Sequence, residues 1–192
     1  MIITISGIPS SGKSTIAKML AQSLGWERRS IGDIIKEMAG TQHINEFYIE
    51  LEKNPELEKK IDLEQKKWGE EGDNFIIEGR TSFKFMPRDK SYNVFFNLSL
   101  EEAAERAYSR YLEQKGNSLN ISSKYSSKRD ALKKVKERMM VENKRYKQLY
   151  GIDHLDMKHY DLVLDASGTK QEVYDSLYGA VLKELERRRT DI

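Results

Sequence analysis

The 192-residue sequence has no cysteine, only three histidines and only three prolines. Without cysteine there is no disulfide frame and no thiolate metal site. His43, His154 and His159 form no His-x-x-His pair, which argues against a transition-metal enzyme and reads them as surface or turn residues. No apolar run approaches the ~18 residues of a membrane span. Met1 is followed directly by Ile2-Ile3-Thr4-Ile5, with no basic segment ahead of an apolar one. No secretory signal and no membrane partner are therefore expected, and a cytoplasmic location is. Proline is too sparse for a hinge, and the length suits one domain rather than two.

Excess charge of one sign is also missing overall: 33 Lys/Arg face 31 Asp/Glu, a net of +2. The balance conceals sorting along the chain. Residues 106–147 carry 13 Lys/Arg against 4 Asp/Glu, a net of +9, and the remainder carries 20 against 27, a net of −7. Such a basic segment either binds polyanions or folds over phosphates.

The apolar, β-branched run at 2–5 reads as a buried strand. A glycine loop follows, and then Ile16, Met19, Leu20 and Leu24 recur at helical spacing up to Gly25. Further strands are expected at 26–31, 74–78, 92–98 and 161–165. Helices are expected at 34–39, across 44–69 with a break at Asn54-Pro55, from Ser99 to about Gly116, at 128–150 and from Thr169 to about Arg189. Ser99 with Glu102 and Thr169 with Glu172 have capping-box spacing. Residues 117–127 are Ser/Asn-rich and read as loop. Strands alternating with helices imply an α/β domain: a five-stranded parallel sheet between two helical layers. The expected division is a core at about 1–36, 73–105 and 150–192, a helical insert at 37–72 and a helical lid at 106–149.

Gly7-Ile8-Pro9-Ser10-Ser11-Gly12-Lys13-Ser14 fits G-x-x-x-x-G-K-[ST], between a strand and an amphipathic helix. Small residues let successive backbone N–H groups turn inward on a polyphosphate. The helix that follows adds its positive end. Lys13 supplies a point charge to the β- and γ-phosphates, and Ser14 is a Mg²⁺ ligand. A bound nucleoside triphosphate with Mg²⁺ is expected.

A switch GTPase would need a guanine-reading Asn-Lys-x-Asp. Asn143-Lys144-Arg145-Tyr146 lacks the Asp and lies within a predicted helix. Ser30-Ile31-Gly32-Asp33-Ile34-Ile35-Lys36 and Glu78-Gly79-Arg80 each end a predicted strand on the side of the phosphate loop, where parallel sheets bind ligands. Lys36 and Arg80 are placed to hold a second phosphorylated group. Glu78 stands where an acid holds Mg²⁺ through water. Arg138, Glu142 and Arg145 share one helical stripe.

Six stretches together resemble the nucleoside monophosphate kinases, and specifically archaeal-type cytidylate kinases: ISGIPSSGKSTIAKMLAQSLG, SIGDIIKEMA, NFIIEGR, SLEEAAERAYSR, ENKRYKQLYGID and YDLVLDAS. The resemblance implies the P-loop NTPase fold with a helical monophosphate-binding insert and lid, and ATP-dependent phosphorylation of CMP or dCMP. Adenylate or another small-metabolite kinase is the alternative. A P-loop ATPase using the basic segment on RNA is the rival from another class.

By the same resemblance, Gly7, Ile8, Pro9, Ser10, Ser11, Gly12, Lys13, Ser14 and Thr15 cradle ATP and Mg²⁺, and Arg106 and Arg110 begin the lid. Ser30, Asp33, Lys36 and Arg80 belong to the monophosphate site. Arg138 and Arg145 close on the transferring phosphoryl, Glu142 reads the base or orients the arginines, and 165–167 lies by the adenine. Lys36 stands where the family usually has Arg, and Ser10 replaces a frequent Gly. Small nucleotides are the expected partners, with no nucleic acid, and the chain is expected to be a monomer.

Overall fold

The computed structural model describes residues 1–40, 47, 50–51, 53–114 and 124–190. In chain order the elements are β1 (Ile2–Gly7), α1 (Lys13–Leu24), β2 (Glu27–Ser30), α2 (Ile31–Ala39), α3 (Pro55–Glu71), β3 (Phe75–Glu78), a short α4 (Ser82–Phe85), β4 (Ser91–Asn97), α5 (Leu100–Gln114), α6 (Lys128–Tyr150), β5 (Leu162–Asp165) and α7 (Lys170–Thr190). A 3₁₀ turn, Met157–His159, precedes β5. The predicted loop at 117–127 falls mostly outside the described residues, as do His43 and the first part of the predicted 44–69 helix.

The five strands form one parallel sheet in the order β2-β3-β1-β4-β5. β1 lies at its centre and is buried along its whole length. Its side chains alternate between faces. Ile2 packs with Phe75, Ile77 and Met86, against Trp68 and Phe85. Ile3 and Ile5 join Ile76, Ile16, Leu20, Leu177 and Val181 in the main core, so α1 and α7 cover the other face. This is the three-layer α/β/α arrangement of P-loop proteins.

Two features bear on the site. First, Ile35, Ala39, Phe47, Leu51 and Ile61 form a small core of their own, so α2 and α3 make a lobe beside the sheet. Second, α6 is a long helix with local start and stop signals. The Ser127 hydroxyl accepts from the Asp130 amide at 3.1 Å. Gly151 ends the helix at φ 67°, where left-handed backbone favours glycine. Ala131, Val135, Glu142 and Tyr146 form its buried stripe. A glutamate in that stripe is a buried charge and requires partners.

Candidate active site

The loop after β1 is shaped by its backbone. Gly7 has φ 145°, and a Cβ there would lie 2.7 Å from the Phe96 carbonyl on β4. Only glycine lets the chain leave the sheet at this point. Ser10 and Gly12 are also left-handed, at φ 61° and 90°. Ser10 thus adopts the conformation that a glycine would take more freely. No side chain caps the first turn of α1, whose amides are left for an anion.

Lys13 folds back over this loop. Its Nζ donates to the carbonyls of Gly7 at 2.9 Å and Ile8 at 2.8 Å. Burial pushes its pKa well below the usual lysine value, and Arg80 then adds to the effect, with Glu142 opposing. Arg138 and the exposed Arg110 also weigh on it. The ammonium is held by neutral carbonyls in a positive field.

Arg80 follows β3, and its Nε contacts Glu142 Oε2 on α6 at 2.5 Å. Arg138 Nε donates to Glu142 Oε1 at 3.0 Å. Glu142 is 5% exposed. Burial alone would raise its pKa, but Arg80, then Arg138 and Arg145, hold it below the usual carboxylate range. It is an anion that aims arginines.

Arg145 lies one turn further along and turns toward α3. Its Nη2 is 3.8 Å from Glu58 Oε1 and donates to the Tyr146 hydroxyl at 3.2 Å. Burial opposes its charge, but Tyr146 and Glu58 outweigh burial and raise its pKa. Tyr150 donates to Asp62 on α3 at 2.7 Å. Burial raises the pKa of both Glu58 and Asp62.

At the ends of β2 and β3 a second ionic group forms. The buried Glu78 carboxylate pairs with Arg28, whose other nitrogen holds Asp33 at 2.6 Å. Asp33 also pairs with Lys36 at 2.9 Å. Burial works against its charge, but the bonds from Lys36 and Arg28 hold its pKa at about 2. Lys36 is 68% exposed. Ser30 caps α2, its hydroxyl accepting from the Asp33 amide at 3.2 Å. Across the sheet, Arg106 donates to the carbonyls of Ala166 at 2.7 Å, Ser167 at 3.2 Å and Gly168 at 3.3 Å. It lines a cavity with Ser11, Gly12, Thr15 and Lys170 beside the phosphate loop.

The reading of His154 as a surface or turn residue is corrected. Its side chain is among the largest fully buried ones, at 0% exposure. Nδ1 lies 2.8 Å from Asn143 Oδ1. Burial lowers its pKa to about 4, helped by Arg80 and Lys13. The Tyr160 hydroxyl stands 2.7 Å from the His154 carbonyl and 3.1 Å from Ser6 Oγ, which donates to the Arg80 carbonyl at 3.0 Å. A polar chain therefore supports the Arg80 backbone from below.

Arg28, Glu58, Asp62, Tyr150 and His154 had no assigned role in the sequence. Arg28 was readable only with strand register: β2 pairs with β3 so that Ser30 lies opposite Glu78, two residues beyond Arg28. Among the described residues no cluster of three acidic or histidine side chains could hold a metal unaided. The hydroxyl of Ser14 and the carboxylate of Glu78 are hard oxygen donors, the set that suits Mg²⁺ shared with phosphates and water.

Fold, loop and converging arginines define the class: a P-loop kinase. The chain matches the family described as "AAA domain" over residues 3–133. The cytidylate kinase of Methanopyrus kandleri is 33% identical to it, covering 97% of this chain and 96% of that protein. That of Methanocaldococcus jannaschii is 33% identical, covering 97% and 100%. Among solved structures, shikimate kinase from Bacteroides thetaiotaomicron superposes with a TM-score of 0.65 at 13% identity, covering 97% of this chain and 98% of that one. Shikimate kinase from Aquifex aeolicus gives 0.60 at 19% identity, covering 96% and 98%. At such identities these two show the fold alone. The chain belongs to the cytidylate kinase family of nucleoside monophosphate kinases. No helix among the described residues is long and apolar enough to cross a membrane.

Proposed function

We propose that the protein transfers the γ-phosphoryl group of ATP to CMP or dCMP, giving ADP and CDP or dCDP. The observation that carries this reading is Arg80 and Arg138 locked on one buried carboxylate, Glu142, within the field of Lys13. The acceptor is a phosphate oxygen that is already anionic, so no general base is needed. The task is to hold two polyanions together in line and neutralise the charge that develops. Lys13 and the amides at the start of α1 bind the donor phosphates. Arg80 and Arg138 face the transferring group, each aimed by Glu142. Arg110, on α5, adds to the field on the donor side.

Ser30, Asp33 and Lys36 stand on the lobe side of the sheet, where the monophosphate is expected. Mg²⁺ supplies charge neutralisation between the phosphates when bound. Ser14 would hold it directly and Glu78 through water, once the carboxylate shares its charge between the ion and Arg28. Enclosure under α6 excludes water, which would otherwise accept the phosphoryl group.

The test is a coupled ADP-release assay with ATP and Mg²⁺ against CMP, dCMP, UMP, AMP and GMP. Turnover dependent on Mg²⁺, with CMP and dCMP at the highest kcat/KM, is the expected result. ADP release that no monophosphate stimulates would overturn the reading.

A further inference from the structure

We propose that Glu58 and Arg145 read the hydrogen-bonding edge of the acceptor's base. The pair selects a base that carries an amino group beside a ring-nitrogen acceptor, cytosine in this reaction, over the keto base uracil. The proposal rests on the kinase reading above and assigns the base subsite within it.

Glu142 is not free for this work. Oε1 accepts from Arg138 and Oε2 is in contact with Arg80. One turn further along α6, the situation reverses. Glu58 and Arg145 approach to 3.8 Å, too far for a hydrogen bond. Glu58 Oε2 and Arg145 Nε are both buried, and neither has a hydrogen-bond partner. A bare acceptor and a bare donor thus stand on neighbouring side chains, out of water. Buried polar groups are nearly always paired. Arg80 Nε and Glu142 Oε2 also lack hydrogen-bond geometry but touch each other at 2.5 Å, whereas Glu58 and Arg145 come only to 3.8 Å, which leaves room for a missing partner.

The Tyr150 hydroxyl donates to Asp62 and also reaches the Glu58 carboxylate, and the Tyr146 hydroxyl accepts from Arg145 Nη2. These bonds steady the pair but leave Glu58 Oε2 and Arg145 Nε without a partner.

Burial raises the pKa of Glu58 with Arg145 opposing, and a donor placed against the carboxylate favours its ionised form. In that form it only accepts, and the guanidinium only donates. The cytosine edge presents its N4 amino donor next to the N3 acceptor, with O2 beyond. Glu58 suits the first and Arg145 the second. Uracil presents O4, an acceptor, next to N3–H, a donor, so like would meet like at both positions. Adenine shares the amino and ring-nitrogen pattern of cytosine. The pair therefore separates amino from keto bases, and the size of the site must separate cytosine from adenine.

Position agrees with this role. Lys13 sits at the phosphate loop, Arg80 and Arg138 converge on Glu142 beside it, and Arg145 with Glu58 lies beyond, against the α2–α3 lobe. A nucleotide with its phosphate at the arginines extends its base toward that lobe. The two side chains are only 12% and 10% exposed, so α3 must part from α6 to admit the base. The separate core of the lobe suits such a motion.

The experiment measures kcat/KM for CMP, UMP and AMP in the unmodified protein, Glu58→Gln and Asp62→Asn, with thermal melts of each. Glutamine keeps the size of Glu58 and can turn an N–H toward O4 of uracil. The CMP:UMP ratio is expected to fall by roughly 30-fold or more in Glu58→Gln, within the range set by a mispaired buried group. Asp62→Asn weakens the same α3–α6 contact and removes a like charge beside Glu58 while keeping both edge side chains, and should leave the ratio within about threefold. Equal losses on CMP and UMP in Glu58→Gln, or the same ratio change in Asp62→Asn, would reduce the pair to a structural latch and overturn the proposal. Should Glu58→Gln melt below the assay temperature, Glu58→Asp decides. It withdraws the acceptor while keeping the charge, and an unchanged CMP:UMP ratio would equally overturn the proposal. Absence of turnover with every monophosphate in the unmodified protein would instead remove the kinase reading, a result the variants cannot mimic.

Discussion

Arg80 Nε and Glu142 Oε2 stand 2.5 Å apart, one on the turn after β3 and the other in the middle of α6. The contact ties the end of β3 to α6, close to Lys13. It also fixes the charge of Glu142, whose ionised form survives burial only because Arg80, Arg138 and Arg145 surround it. Removing the anion leaves these cations facing one another and Lys13. Breaking a buried pair on one side costs about 3–5 kcal/mol. Glu142→Ala should therefore lower the urea midpoint by that equivalent. It should also lower kcat by about 10²-fold, because Arg80 and Arg138 lose their aim. Urea denaturation and steady-state kinetics on one preparation check both effects. A kcat within a factor of two of the unmodified protein would mean that the arginines aim themselves.

Lys13 gives a different kind of prediction. Its hydrogen bonds go to carbonyls of its own loop, so Lys13→Met should leave the melting temperature within a few degrees. Phosphoryl transfer should fall by at least about 10²-fold, the usual loss when one preorganised donor to a developing charge is removed. The depressed pKa adds a second readout. Bound triphosphate restores the charged form, so ATP binding should take up protons, increasingly as pH rises toward the range where free Lys13 is partly neutral. Calorimetry in buffers of different ionisation enthalpy measures that uptake. The Lys13→Met protein should show none from this source.

What the sequence made legible was what neighbours in the chain decide. The loop Gly7–Ser14 is contiguous, and its strand and helix flank it directly. α6 begins and ends where Ser127, Asp130 and Gly151 say, because caps act within one turn. Glu58 and Asp62 were hidden for the opposite reason. The segment PELEKKIDLEQKKWGEE is charged on nearly every face, so nothing local marks one carboxylate as buried. Their burial comes from Arg145 and Tyr150, far along the chain. Arg28 was hidden by register, which two strands decide together. His154 sits in the polar run IDHLDMKHY, and it is enclosed only once Tyr160 and Asn143 close over it.

That enclosure makes His154 a pH liability. In the unfolded chain its pKa is near 6.5, and in the folded protein it is about 4, lowered by burial and then by Arg80. Glu142 and Asp153 oppose the shift, and Lys13 adds to it. Between those two values the unfolded state binds the proton and the folded state refuses it, so acid favours unfolding. The contribution is fully present above about pH 6.5 and is lost as pH falls toward about 4. At about 1.4 kcal/mol per pKa unit, the loss is of order 3 kcal/mol. His154→Gln keeps a polar group beside Asn143 but cannot take up the proton. Urea midpoints between pH 4.5 and 7.5 should fall steeply toward acid in the unmodified protein and less steeply in His154→Gln. Parallel profiles for the two proteins would show that other groups carry the acid sensitivity.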